Sequence, residues 1–201
     1  PDDIDAAVLT VTGEQWDDAA WLRDWVDAGR AAVEAVFAEH GERIAALITE
    51  AVPCNMGVVE PAEGFNAFLR EITRRHGALL IWDEVLTGFR ATATGGWGLS
   101  GQPEGWTPDI WCFGKVIGGG LPVGALAGRA DVMGAFDARS GPQIAWGGTF
   151  SANPLTMAAG SAALGAYDAD AIDELNRRGD RLRQRLVAAG AARAWIEGRQ
   201  L

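Results

Sequence analysis

The chain has 201 residues, 48% hydrophobic and 22% charged, which describes a globular protein with a sizeable core and excludes a disordered segment. A formal net charge of −10 argues against a general nucleic-acid binder, because phosphates would be repelled, but leaves open a small anion held by local dipoles. Two cysteines, Cys54 and Cys112, are too few for a disulfide framework and suit a reducing cytosol; no signal peptide is visible, and a start at Pro1 is expected of a fragment or processed product.

In chain order, residues 6–12 have strand chemistry in Val8, Leu9 and Val11, whereas residues 13–24, rich in Trp and Asp, take no assignable form. Residues 31–40 read as a helix with Val33, Val36 and Phe37 on one face and Gly41 as its stop. Residues 44–49 read as a short buried strand, and residues 50–61 as loop. Residues 61–76 give the clearest helix, with Pro61 in its first turn, an apolar stripe of Phe65, Phe68, Leu69 and Ile72, and Gly77 at its end. The apolar run 78–82, ending at Asp83-Glu84, reads as a strand buried on both faces. A glycine-rich connection over 87–108 leads to a strand at 110–113, and 124–127 suits another. Helices are expected at 131–136, 154–167 and 171–189, the last with Ile172, Leu175, Leu182 and Leu186 inward. The uncharged stretch 140–167 contains too many glycines, prolines and amides for a bilayer helix and reads as buried loop and helix. Alternating helices and short buried strands predict an α/β layered fold with a mostly parallel sheet, whose ligands sit beyond the carboxyl ends of the strands.

Some motifs fail on inspection. Residues 96–101 match G-x-G-x-x-G, but no strand leads into them and Gln102-Pro103 follow where a helix should begin. Residues 113–116 resemble the end of a P-loop, yet position 109 holds Asp109 and Val116 replaces the magnesium-binding hydroxyl. His40 and His76 sit near helix ends without ligand-like neighbours, so no metal site is expected.

Lys115 is the chain's only lysine, at the end of an apolar strand and before Gly118-Gly119-Gly120. An amine, unlike a guanidinium, can lose its proton when desolvated and attack a carbonyl to form a Schiff base. Asp83 stands at another strand end, where a carboxylate after an apolar run needs a partner. One candidate partner is an arginine or a set of backbone amides; another is a protonated heterocyclic nitrogen. Lysine and aspartate facing one cleft are what pyridoxal phosphate needs, an amine for its aldehyde and an acid for its ring nitrogen. Gly147-Gly148-Thr149, followed by a helix starting at Pro154, is a third cluster, suited equally to an anion site or a structural turn.

Taken together, residues 38–50, 55–59, 76–90, 108–124 and 148–150 resemble the class III pyridoxal-phosphate aminotransferases, nearest to the glutamate-1-semialdehyde aminomutase branch, over roughly residues 31–167 by motif order. Leu86 and Asn55 stand where many class III transaminases have glutamine and glutamate, and point to that branch. The resemblance implies part of a fold-type-I large domain at 31–168, with 1–30 unassigned and 169–201 a helix leading to a small C-terminal domain that is absent. It implies that Lys115 joins the cofactor's aldehyde and shuttles a proton, that Asp83 pairs with the pyridine nitrogen, and that Val85 packs on one ring face. Asn55 would lie near the phenolic oxygen, and Glu50 just behind the pocket. Thr149 would bind the phosphate of a partner subunit's cofactor, which implies a homodimer. The implied reaction moves an amino group on a small amino acid or amino aldehyde in the cytoplasm. Two alternatives stand beside it: a truncated remnant that binds cofactor weakly or not at all, and other chemistry of the same fold such as racemisation or decarboxylation. Arg90 is a candidate by position for a substrate carboxylate, weighed against an ordinary ion-pair role.

Overall fold

A computed structural model describes residues 19–188, apart from 56, 138, 140–143 and 145. The strand expected at 6–12 lies outside the described residues. Helix α1 (Ala19–His40) begins well before residue 31, so the boundary drawn at 30/31 falls inside a helix. No proline interrupts this alanine-rich stretch, and propensity carries the helix through Gly29. Strand β1 (Ala46–Glu50) follows, then helix α2 (Phe65–Arg75), strand β2 (Leu79–Asp83), a one-turn helix α3 (Gly101–Glu104) and strand β3 (Ile110–Gly114). Strand β4 (Gly124–Gly128), a one-turn helix α4 (Ala130–Met133), helix α5 (Pro154–Ala166) and helix α6 (Ala169–Ala188) complete the order.

The sheet runs β1-β2-β3-β4. β1, β2 and β3 are parallel, and β4 returns antiparallel to β3 with Gly114 opposite Gly124. The chain is therefore α/β with a mostly parallel sheet, as its sequence predicts. α2 starts at Phe65 instead of Pro61. Gly64, at φ 70°, takes the left-handed turn ahead of the helix, so the four residues before Phe65 are loop. The last helix starts at Ala169, its first-turn Ala171 amide donating to Asp168 Oδ1 at 2.9 Å. α5 opens on Asn153, whose Oδ1 accepts from the Leu155 and Thr156 amides at 3.0 and 3.3 Å, with Pro154 at the first helical position.

Period-two alternation divides the sheet into unlike faces. One carries Leu47, Leu80, Trp82 and Trp111, with Leu80 and Trp82 at 0% exposure, closed over by Ala51, Trp97 and Trp106. Trp106 meets Trp82 edge-on at 5.3 Å, and Trp97 meets Trp111 edge-on at 6.5 Å. A neighbouring cluster of Phe37, Ile72 and Ala78 ties α1 and α2 to this side. The other face carries Ile48, Glu50, Ile81, Asp83, Ile110 and Cys112, none of them fully buried. Burial on both faces therefore does not hold for β2, and β1 is an edge strand with Ile48 63% exposed. The same correction applies to α6 and to the stretch before α5. Ile172 is buried, but Leu182 and Leu186 are exposed, because no described element covers the second half of that helix. Ile144, Trp146, Phe150 and Leu155 are also exposed, where a buried loop was expected. None of the described helices is long and apolar enough to cross a membrane.

One buried carboxylate organises the sheet. Asp109, 3% exposed, precedes β3 and accepts from Arg70 Nη1 of α2 at 2.7 Å, Arg129 Nη1 beyond β4 at 2.7 Å and the Leu80 amide of β2 at 2.8 Å. Its own amide donates to Leu80 O at 2.9 Å, and its carbonyl accepts from the Arg129 amide at 3.0 Å. Burial alone would raise its pKa; the Leu80 amide and the two guanidinium groups outweigh that and hold it below the ordinary carboxylate range. Removing the carboxylate leaves Arg70 unpaired in a half-buried place. We expect Asp109→Ala to lower unfolding free energy by about 3–5 kcal/mol in urea titrations. The folded pKa is depressed, so the unfolded chain takes up this proton first as pH falls. Asp109 thus adds stability above its unfolded pKa, around 4, and loses it as pH drops through the folded value. Asp109→Asn should flatten the acid limb of the stability–pH curve.

Candidate active site

The register of the parallel strands sets the site. Glu50 is opposite Asp83, and Asp83 opposite Cys112, so three side chains from β1, β2 and β3 point the same way at their carboxyl ends, about 4.8 Å apart from strand to strand. Gly114 ends β3, and Lys115 opens a 3-10 turn over Lys115–Gly118. Lys115 takes φ 48°, a left-handed conformation that a side chain rarely adopts and that costs about 1 kcal/mol. The lysine is exposed and makes no ion pair with Asp83 among the described residues.

The turn after β2 closes on this strand end. The Val85 amide donates to Asp83 Oδ1 at 2.8 Å, which fixes the half-buried carboxylate. A side chain added at Gly114 would meet Val85 Cγ1 at 3.3 Å, so Val85 lies against the residue that precedes Lys115. The Glu84 amide donates to Cys112 O at 2.9 Å and the Gly88 amide to Glu84 O at 2.8 Å. The structure thus brings Asp83, Val85 and the root of Lys115 onto two adjacent strand ends.

The loop after β1 is held by Glu50, whose Oε2 accepts from the Cys54 amide at 3.1 Å. Asn55 follows in a turn closed by the Gly57 and Val58 amides on Cys54 O, with Gly57 at φ 108° and Val58 at φ 56°. Asn55 is exposed and has no described hydrogen bond to Asp83 or Lys115. Thr149 is exposed in the turn before α5, where the Ser151 amide donates to Gly148 O at 3.0 Å. No described hydrogen bond or ion pair joins it to Lys115, Asp83 or Glu50. α5 itself rests on the lysine turn: the absent side chains of Gly160 and Gly119 let the helix backbone and the Ile117–Gly119 backbone approach closely.

Two residues gained a place here that sequence reasoning gave them no part in. Cys54 lies within electrostatic reach of Glu50, Arg90 and Lys115. Glu84, 1% exposed, receives Trp82 Nε1 at 3.0 Å, the Gly96 and Trp97 amides at 2.8 Å each, and the Thr87 hydroxyl. Burial pushes its pKa up, against the pull of those four donors. The first two amides of the rejected G-x-G-x-x-G stretch, those of Gly96 and Trp97, are therefore spent on an internal carboxylate. Alternation along β2 was the available signal: if Asp83 faces the open side, Glu84 must share the buried side with Trp82 and needs donors there.

Residues 7–197 match the profile of the family described as Aminotransferase class-III. Among curated relatives, a glutamate-1-semialdehyde 2,1-aminomutase of Propionibacterium freudenreichii subsp. freudenreichii is 53% identical over 150 residues, which cover 75% of this chain and 34% of that protein. One from Halobacterium salinarum is 48% identical over 164 residues, covering 81% of this chain and 36% of the relative. The chain thus spans about a third of the length of the curated relatives it matches. Among solved structures, an omega-transaminase from Sphaerobacter thermophilus superposes with a TM-score of 0.69 at 39% identity, over 76% of this chain and 34% of that one. A transaminase with PLP bound gives a TM-score of 0.71 at 31% identity, over 80% and 38%.

Both thiols of this region are held protonated. Burial, then the Glu50 charge, raises Cys54 against the opposing pull of Arg90 and Lys115; burial, then Asp83, raises Cys112. Iodoacetamide should therefore label both slowly at neutral pH, with rates climbing only above the ordinary thiol range, as read by peptide mass spectrometry. Glu50→Gln keeps an acceptor for the Cys54 amide and removes the charge, so it should speed labelling of Cys54 and leave Cys112 unchanged.

Proposed function

The chain belongs to the class III aminotransferases, and from that membership we propose that it is the central part of the large domain of a pyridoxal-phosphate enzyme that moves an amino group on a small amino acid or amino aldehyde. One observation carries the reading: the chain's only lysine follows β3 directly, while a half-buried carboxylate ends the neighbouring β2 and Val85 lies against Gly114, the residue before the lysine. The donor set fits the cofactor. A primary amine, a carboxylate with an oxygen beyond its Val85 bond, and an apolar side chain stand at adjoining strand ends. That is also where α/β sheets bind ligands.

Pyridoxal phosphate, when bound, supplies an aldehyde for condensation with amines and a ring that takes up electron density. Lys115 would hold the aldehyde end and, at Nζ, carry the proton shuttled between substrate and cofactor. Asp83 would keep the ring nitrogen protonated, its orientation fixed by the Val85 amide. The Val85 side chain would limit the ring's tilt. Glu50 would shape the loop that carries Asn55 through its hydrogen bond to the Cys54 amide, and Asn55 would meet the phenolic oxygen. Arg90 would supply charge near this loop.

Thr149 would serve the cofactor of a second subunit. What supports this is the exposed apolar surface around it, with Phe150 at 80%, Leu155 at 69% and Trp146 at 66%. Solvated patches of this kind belong to association surfaces. The two free cysteines suit a reducing cytoplasm. The curated relatives named glutamate-1-semialdehyde 2,1-aminomutase favour a 1,2-shift of the amino group over transfer between two substrates.

Titration of the chain with pyridoxal phosphate should give a saturable visible band, and borohydride should fix the cofactor to Lys115. Lys115→Ala should fold and lose that adduct; a mutant trapped as well as the parent would refute the assignment. Asp83→Asn should weaken cofactor affinity by about 10- to 100-fold, the worth of a charged hydrogen bond. A wild-type chain with no saturable change would instead mark a non-catalytic remnant of the family.

A further inference from the structure

Asp83 and Glu84 are consecutive acids with opposite surroundings. Asp83 is half-buried on the open face, with one described donor, the Val85 amide. Glu84 is enclosed on the tryptophan side and accepts from four donors, two of them amides of the Gly96–Trp97 turn. Gly95, at φ 72°, is required there: a side chain on it would lie 2.8–2.9 Å from the Glu84 carboxylate. The Glu84 backbone is also pinned at both ends, by Cys112 O and by the Gly88 amide. A buried carboxylate so fully satisfied resists any rotation of its own backbone, because each donor it abandons would be left unpaired.

We propose that Glu84 is a positioning residue whose clamped carboxylate fixes the Asp83–Val85 turn and thereby aims Asp83 and Val85 at the cofactor. The proposal rests on the functional reading above for the purpose of the turn, and on the hydrogen bonds alone for the clamp. Strand alternation makes the coupling direct. Glu84 cannot turn its side chain inward without presenting Asp83 to the opposite face. Glu84→Gln keeps size and shape but, with its amide NH2 at the Oε2 position, faces both the Gly96 amide and the Thr87 hydroxyl, of which only the hydroxyl can reverse to accept. One donor then loses its acceptor. Thr87→Val removes a single donor and leaves the carboxylate, so it weakens the clamp by a milder route.

Amide hydrogen exchange on the cofactor-free chain tests the clamp without activity. In Glu84→Gln the Val85 amide should exchange about tenfold faster, the equivalent of one hydrogen bond, and in Thr87→Val faster by a smaller factor, while the Leu80 and Trp82 amides keep their protection in both. Faster exchange confined to Gly96 and Trp97, with Val85 unchanged, would mean that Glu84 holds the loop alone and would overturn the proposal. Equal acceleration throughout β2 would mean general destabilisation and would overturn it as well. Cofactor titration then separates the two ideas. Glu84→Gln should weaken binding about tenfold in the parent and add little to Asp83→Asn, since both act through one carboxylate. Additive losses would contradict positioning through Asp83. The expected exchange pattern in the variants, with no saturable cofactor binding by the parent chain, would sink the functional reading and leave only the clamp on the turn standing.

Discussion

Asp109 is the constraint on which the sheet depends. It contacts three elements that the chain separates widely: α2 through Arg70, β2 through the Leu80 amide, and the exit from β4 through Arg129. Its backbone extends the sheet on both sides, its amide donating to Leu80 O of β2 and its carbonyl accepting from the Arg129 amide just beyond β4. A parallel strand can slip by a residue only if every side chain changes face. Asp109 opposes such a slip, because its carboxylate would leave one or both guanidinium groups behind. The pairing of Asp83 with Cys112, and the place of Lys115 beyond it, inherit their alignment from this register.

The two adjacent acids at the end of β2 show how a strand divides labour. Alternation gives one carboxylate to the core and one to the open face. The core carboxylate spends all its capacity on internal donors and becomes scaffold. The open one retains capacity for something brought from outside. A glycine-rich connection, which by composition reads as slack, is ordered around the first of these by two amides and a hydroxyl.

Much of this was legible in the sequence. The ends of β2 and β3 are marked by apolar runs that stop at Asp83-Glu84 and at Gly114-Lys115, and a mostly parallel sheet follows from the alternation of helices and short strands along the whole chain. α2 was found through its stripe of Phe65, Phe68, Leu69 and Ile72, although its start was misplaced because Pro61 suits a first turn and Gly64 competes for the cap. Burial was legible only where this chain supplies both sides of a contact. Leu182 and Leu186 have the chemistry of an inward face and stand exposed, as do Trp146 and Phe150. Periodicity reports what a residue suits, whereas exposure reports what is present to cover it. Glu84 escaped notice because two of its four donors lie a dozen residues on, in the Gly96–Trp97 turn, where glycines read as an ordinary loop. Lys115 was conspicuous by composition, but its left-handed backbone could not be read from any neighbour.

The antiparallel return of β4 has a further consequence for the lysine. Pairing of Gly114 with Gly124 closes only residues 115–123, whereas β1 reaches β2, and β2 reaches β3, through long crossovers. Closing a short loop carries a small entropic cost and proceeds on the microsecond scale of hairpins, while distant parallel pairing is slow. Lys115 therefore belongs to the most locally encoded corner of the sheet, whereas Asp83 reaches its place beside β3 only when the chain completes a much larger circuit.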